Sequence, residues 1–174
     1  KPGFLTILDP TDATIPEPKP GMTTSGRRTV LANWLTRPEN PLTTRVIVNR
    51  LWQYHFGRGI VATPSDYGHL GEKPTHPELL DWLTTQFIQG GWKMKPLHKL
   101  ILTSAAYRQS ALVSQPSAMQ TDPENKLLWR FPPRRLDAEQ SRDAILAAAG
   151  ELDSTIGGEG VEAAKPRRSI YTRK

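Results

Sequence analysis

The sequence predicts a mainly α fold: an irregular multi-helix domain with long Pro/Gly-rich loops and room for one short C-terminal strand. Three observations carry this. Apolar residues recur at the three- and four-residue spacing of a helical face. Capping residues, prolines and glycines fall between these recurrences. The 16 prolines and 13 glycines sit mostly outside the apolar segments, so they lengthen the connections rather than interrupt the helices.

In chain order, residues 1–25 read as an extended lead-in, because Pro2, Pro10, Pro16, Pro18 and Pro20 fix φ and remove backbone donors. Phe4, Leu5, Ile7 and Leu8 are placed to anchor its start on the core. A first helix is expected from Arg27 to Thr36, with Val30, Leu31, Trp34 and Leu35 on one face and Pro38 as its stop. Asn40-Pro41 is a start signal for a second helix running to Phe56. Leu42, Val46, Ile47, Val48, Leu51, Trp52 and Phe56 cover more than one stripe, so this helix is placed centrally. Arg45, Asn49 and Gln53 form a narrow polar line along it, and Gly57 and Gly59 supply left-handed positions that end it.

Residues 60–75 read as irregular loop. Thr75 and Glu78 have the spacing of a capping box for a third helix, with Leu79, Leu80, Leu83, Phe87 and Ile88 as its buried face and Gly90-Gly91 as its end. Pro96 opens a fourth helix with Leu97, Leu100, Ile101 and Ala105 on one side. Residues 110–123 are polar and small, a surface connection. After Pro132-Pro133, Asp137 caps a helix to Leu152, packed through Ile145, Leu146, Ala149 and Leu152. Ser169-Ile170-Tyr171 is the expected strand. The domain division is therefore a lead-in over 1–25, a helical domain over 26–164 and a basic segment over 165–174.

Composition removes several function classes. Cysteine is absent, which excludes disulfides, thiolate metal sites and a cysteine nucleophile within this sequence. No apolar run reaches the length of a membrane span. The net charge of +6 suggests nucleic acid until it is located: Lys165, Arg167, Arg168, Arg173 and Lys174 hold +5 of it. The preceding residues carry only +1, too little for the broad basic footprint that phosphate binding requires. Nucleic acid is not the expected partner.

The runs NPLTTRVIVNRLWQYHFGRGIV (40–61), TPSDYG (63–68), PTHPELLDWL (74–83), LHKLILTSAAYRQS (97–110), NKLLWRFP (125–132) and RRLDAE (134–139) occur in this order. Together they resemble the planctomycete-type domain of unknown function, number 1553, also called the planctomycete-specific domain. The likeness covers residues 26–171. It implies a part of a larger, exported protein, with other domains of that protein or separate proteins as the expected partners, and a domain that continues past Tyr171, so that residues 165–174 begin a remainder. It brings no catalytic residue.

Several constellations remain as candidates. Asp66, His69, Glu72 and His76 share one loop and are all metal-ligating types, yet their spacing matches no closed signature. Arg45, Asn49 and Arg50 interrupt the most apolar helix and need partners, for which Asp66, Asp81 and Asp143 are available. The alternative use of Arg45, Arg50, His55, Asp66, His76 and Arg108 is as a site for an anionic or carbohydrate ligand. Trp34, Trp52, Trp82, Trp92 and Trp129 suggest a ring-stacking platform, but core burial is the simpler expectation for each. Ser65, Ser104 and His98 lack a nucleophile elbow. No zinc-protease, phosphate-loop or dinucleotide motif is present, so no cofactor is predicted. The function expected is a non-catalytic helical interaction module.

Overall fold

The computed structural model describes residues 1–17, 20–21, 23–112 and 116–173. Pro18 of the lead-in, residues 113–115 of the surface connection and Lys174 of the basic segment lie outside them. The fold is mainly α. The helices are α1 (Arg27–Leu35), α2 (Thr43–Phe56), α3 (Pro77–Gln89), α4 (Met94–Leu102), α5 (Ala105–Arg108), α6 (Pro116–Thr121) and α7 (Ala138–Ala148). They divide between two units, Lys1–Pro132 and Pro133–Lys174.

In the first unit α2 is the central element. Asn40 starts it: its side-chain oxygen accepts from the amides of Leu42 (3.0 Å) and Thr43 (3.3 Å), meeting two donors that the helix leaves over. Val48, Leu51, Trp52 and Phe56 of α2 are buried with Leu80, Leu83 and Phe87 of α3 and Leu97 and Ile101 of α4. Ile60 and Val61, from the loop after α2, complete this core.

Asn49 is fully buried within it. Its amide donates to the Val61 carbonyl (2.9 Å) and its oxygen accepts from the Val61 amide (2.9 Å), closing the loop onto the helix. Asn49, one member of the polar line, is thus a clasp. Gly59 is part of it for a steric reason rather than the left-handed one expected, since a Cβ there would lie 2.5 Å from the Val61 carbonyl oxygen and 2.7 Å from the Asn49 amide.

Other connections are also pinned by polar side chains. Thr75 does not close a capping box: its hydroxyl bonds the Ile60 carbonyl (3.3 Å) and faces the His76 Nδ1 (2.9 Å), while His76 is the N-cap and Pro77 the first helical residue. Between α3 and α4 the backbone is left-handed at both Gly91 (φ 69°) and Trp92 (φ 61°). This reversal turns the Trp92 ring back onto Phe87, with centroids 5.5 Å apart.

The lead-in is more ordered than an extended anchor. Residues 2–13 close on themselves, the Ala13 amide bonding the Pro2 carbonyl (3.0 Å). They clamp α1: Phe4 stacks on Trp34 at 4.8 Å, and Asp9 accepts from the Trp34 indole (3.1 Å) and Arg37 (2.8 Å). Leu5 and Ile7 stay exposed, so Phe4 is the apolar anchor.

Three further expectations change. Residues 110–123 contain α6, a short helix that buries nothing. Trp82 is 48% exposed, because it lies about 200° around α3 from buried Leu80. Ser169–Tyr171 is a 3-10 turn rather than a strand, and the extended pairing nearby amounts to isolated bridges, Asp153 with Arg167 and Val161 with Thr172.

The second unit is held differently. Asp137 caps α7 by accepting from the Gln140 amide (2.6 Å), as its position predicts, but no α7 residue is buried. Ile145, expected to pack, is 68% exposed. Instead the Arg142 guanidinium donates to the carbonyls of Arg167 (2.8 Å), Ala163 (2.8 Å) and Lys165 (2.6 Å) and to the Ser169 hydroxyl (3.2 Å). Arg167, with a side chain only 12% exposed, donates to the Thr155 (2.9 Å) and Gly157 (2.6 Å) carbonyls. Its guanidinium lies 4.2 Å from the centre of the Tyr171 ring. Part of the basic segment is therefore structural.

Candidate functional site

The last turn of α2 sends Trp52 and Phe56 into the core and leaves His55 half-buried beside them. On α4, Leu97 and Ile101 are buried, and His98 lies half-buried between them in sequence. The packed helices bring the imidazoles together: His55 Nε2 lies 2.8 Å from His98 Nδ1, the ring planes crossing at 73°. Tyr107 meets His55 edge-on at 5.8 Å. The short helix α5 positions Tyr107, and Ser104 caps that helix by accepting from the Tyr107 amide (3.2 Å). A hydrogen bond between two imidazoles requires one nitrogen to donate and the other to accept, so at least one ring is neutral. The pair is thus a two-nitrogen donor set held on two helices.

A second polar group surrounds a cavity of about 60 Å³ whose walls include Trp52, Phe56, Ile60, His76, Asn125 and Leu128. Arg58 stands at its edge, bonding Glu72 (3.0 Å) and lying 3.6 Å from Glu124. Lys126 pairs with Glu124 at 2.9 Å, and this contact, more than Arg58, holds the Glu124 carboxyl below its usual range. Asn125 (φ 54°) and Leu128 (φ 57°) are both left-handed, which costs of the order of 1–3 kcal/mol each. Asn125 offsets this by clasping Arg130, its amide donating to the Arg130 carbonyl (2.9 Å) and its oxygen accepting from the Arg130 amide (3.2 Å). Gln109 adds a bond to the Leu128 carbonyl (2.9 Å).

The other residues singled out from the sequence have separate surroundings. Arg45 bonds Asp81 through Nε (2.9 Å) and Nη2 (2.6 Å) and reaches the Pro41 carbonyl (2.8 Å). Beside it the Tyr67 hydroxyl, raised above its ordinary pKa mainly by burial, contacts the Arg45 carbonyl at 3.4 Å. Asp66 accepts from the Gly68 amide (2.8 Å) and so shapes its own turn. Asp143 serves Ser169 rather than the second helix. Arg50, His69 and Arg108 are exposed. Glu72 is engaged by Arg58 and His76 by Thr75. Among the described residues no three His, Cys, Asp or Glu side chains converge on a position for a metal ion.

Sequence reasoning missed His98 as the partner of His55, and it missed Tyr107, Arg58 and Asn125 altogether. The one available signal was that His98 follows Leu97 directly and stands three residues before Ile101, both read as apolar-face residues, so its ring borders that face.

Among the described residues no helix is long and apolar enough to cross a membrane. Neither the curated proteins nor the solved structures contain a match to the sequence. The PSD1 family model, described as "Protein of unknown function (DUF1553)", matches residues 27–174, most of the chain, and the protein belongs to this family.

Proposed function

We propose that this protein is a non-catalytic helical interaction module of a larger, exported protein, docking against other domains of that protein. One observation carries the proposal. In the unit formed by residues 133–174, Leu136, Ile145, Ile156 and Ile170 are each more than half exposed, while the one buried residue among those described is Ser169. Helices in proteins gain most of their stability by burying an apolar face. Apolar side chains that face water, Ile145 on α7 and Leu136, Ile156 and Ile170 on the segments around it, fit a surface that another domain covers. Export follows from the family resemblance, and the absence of cysteine is compatible with it.

The test supplies the remaining domains of the parent protein in trans and measures association by analytical ultracentrifugation. Wild-type chain is expected to bind, and Leu136→Glu with Ile145→Glu to lose that binding while retaining its helix content. Binding that survives both substitutions, or no binding by the wild type, overturns the proposal.

A second reading, a ligand-binding or enzymatic domain for anionic or carbohydrate material, has one observation in favour. The cavity beside Arg58 and His76 is flanked by left-handed Asn125 and Leu128, the kind of backbone strain that gathers at binding sites. Saturable binding of a sulfated glycan, lost on Arg58→Gln, would favour it over docking.

A further inference from the structure

We propose that His55 and His98 form a binding site for a divalent transition-metal ion of the imidazole-preferring class, with Cu²⁺ held most tightly and water completing the coordination. The facing nitrogens are 2.8 Å apart. Two nitrogens bound at right angles to one ion, each at about 2.0 Å, are separated by about 2.8 Å. Right-angled nitrogen coordination is the tetragonal preference of Cu²⁺, which also heads the affinity order of the first-row divalent ions. The existing separation therefore suits the ion, and only the ring orientations must change.

Each lone pair must swing by about 45° away from the line joining the two nitrogens to meet an ion bound at right angles, and the torsion that swings it is soft. The rings cross at 73°, and rotation about the terminal side-chain torsion of histidine has a broad, shallow profile. The proton between the rings moves to the far nitrogen of its own ring, leaving both facing nitrogens with free lone pairs. No net charge is gained or lost in that tautomer change.

The surroundings hold the donors in place. His55 is in the last turn of α2, whose C-terminal carbonyls present the negative end of the helix dipole to a cation. Its helix is fixed by buried Trp52 and Phe56, and that of His98 by buried Leu97 and Ile101. Tyr107 braces the His55 ring edge-on. Both imidazoles are only half-buried, which leaves water an approach to the remaining coordination positions.

The test titrates the full chain with Cu²⁺ alone and follows binding by calorimetry and electron paramagnetic resonance. One ion per chain is expected, with hyperfine splitting from two nitrogens. His55→Gln and His98→Gln should each weaken binding on the order of tenfold or more, and His69→Gln should leave it unchanged. Copper affinity indifferent to His98→Gln, or lost in His69→Gln, overturns the proposal. Should either pair variant fail to fold, paramagnetic broadening in the wild type decides. The imidazole signals of His55 and His98 must vanish before those of His69 and His76, and the reverse order overturns the site.

Discussion

Residues 1–132 and 133–174 solve the same problem by different means. The first unit buries Val48, Trp52, Phe56, Leu83, Phe87 and Ile101 from three helices in one apolar core. The second has a helix and a long irregular return segment, yet among its described residues Ser169 alone is buried. Its order comes from Arg142 and Arg167, each inserted among backbone carbonyls from several parts of the segment. The contrast shows how a loop-rich segment reaches a defined shape without an apolar core: a planar guanidinium with five donors gathers several strands of backbone at once. Such a segment is specified in shape but thin in burial, which is why its apolar side chains Leu136, Ile145, Ile156 and Ile170 stay exposed.

Truncating the apolar side chains probes this contrast most strongly. Phe56→Ala removes a ring that packs on Trp52 (4.2 Å), Tyr107 (5.8 Å) and Phe131 (6.0 Å), and it should cost about 3–5 kcal/mol. Ile145→Ala, on the exposed side of α7, should change stability by less than about 0.5 kcal/mol. Urea unfolding of both variants measures this. A cost for Ile145→Ala comparable with that for Phe56→Ala would mean that the second unit has an apolar core after all.

The second unit should instead respond to the loss of its arginine. Arg142→Gln removes most of four hydrogen bonds, each worth about 0.5–1.5 kcal/mol net. Amide exchange at Asp153, Val161 and Arg173, whose N–H groups bond within this unit, should accelerate by about one to two orders of magnitude. Raising the salt concentration should reproduce little of this effect, because the carbonyl acceptors are neutral and are not screened as an exposed ion pair is. Strong salt sensitivity in the wild type would transfer the credit to the Arg142–Asp143 contact, at 3.5 Å.

The same contrast explains what the sequence discloses. Helices α1 to α4 were legible because their apolar spacing and their proline and glycine stops obey local rules, and the central place of α2 followed from its excess of apolar faces. α6 was not legible, since Pro116-Ser-Ala-Met-Gln-Thr buries nothing and therefore has no stripe to display. Asn49 looked like one member of a narrow polar line, and its partner stayed unidentified because closure by a loop 12 residues later has no local signature. The same holds for the histidine pair, whose members are 43 residues apart and meet only when α2 and α4 pack. Arg142 and Arg167 were the least legible, because every residue carries a carbonyl and none advertises which arginine it will receive. Arg45 was easier: a cation on an apolar helix requires an acid, and Asp81 was among those available.

Acid should separate the two units more gently than either substitution. Asp143 accepts from the Ser169 hydroxyl (2.7 Å) and amide (2.8 Å), and these bonds, with Arg142 adding to them, hold its carboxyl below the ordinary value of 3.8. Asp153 is lowered in the same way, chiefly by its hydrogen bonds from Thr155 and then by Arg167. A carboxyl with a lower pKa folded than unfolded binds protons first in the unfolded state. Its contribution is complete above the unfolded value and is lost as pH falls through the lowered folded value. The first unit has lowered carboxylates as well, Asp9 in the lead-in and Glu124 after α6, but neither belongs to the apolar core that α2 and α3 share. Exchange protection at Ser169, corrected for the intrinsic effect of pH, should therefore drop from about pH 6 to below about pH 3, whereas amides in α2 and α3 keep theirs. Asp143→Asn keeps an oxygen acceptor but cannot titrate, so it should flatten the profile at Ser169. A profile unchanged by that substitution would show that the turn at Ser169 is held by Arg142 and the Glu139 carbonyl rather than by Asp143.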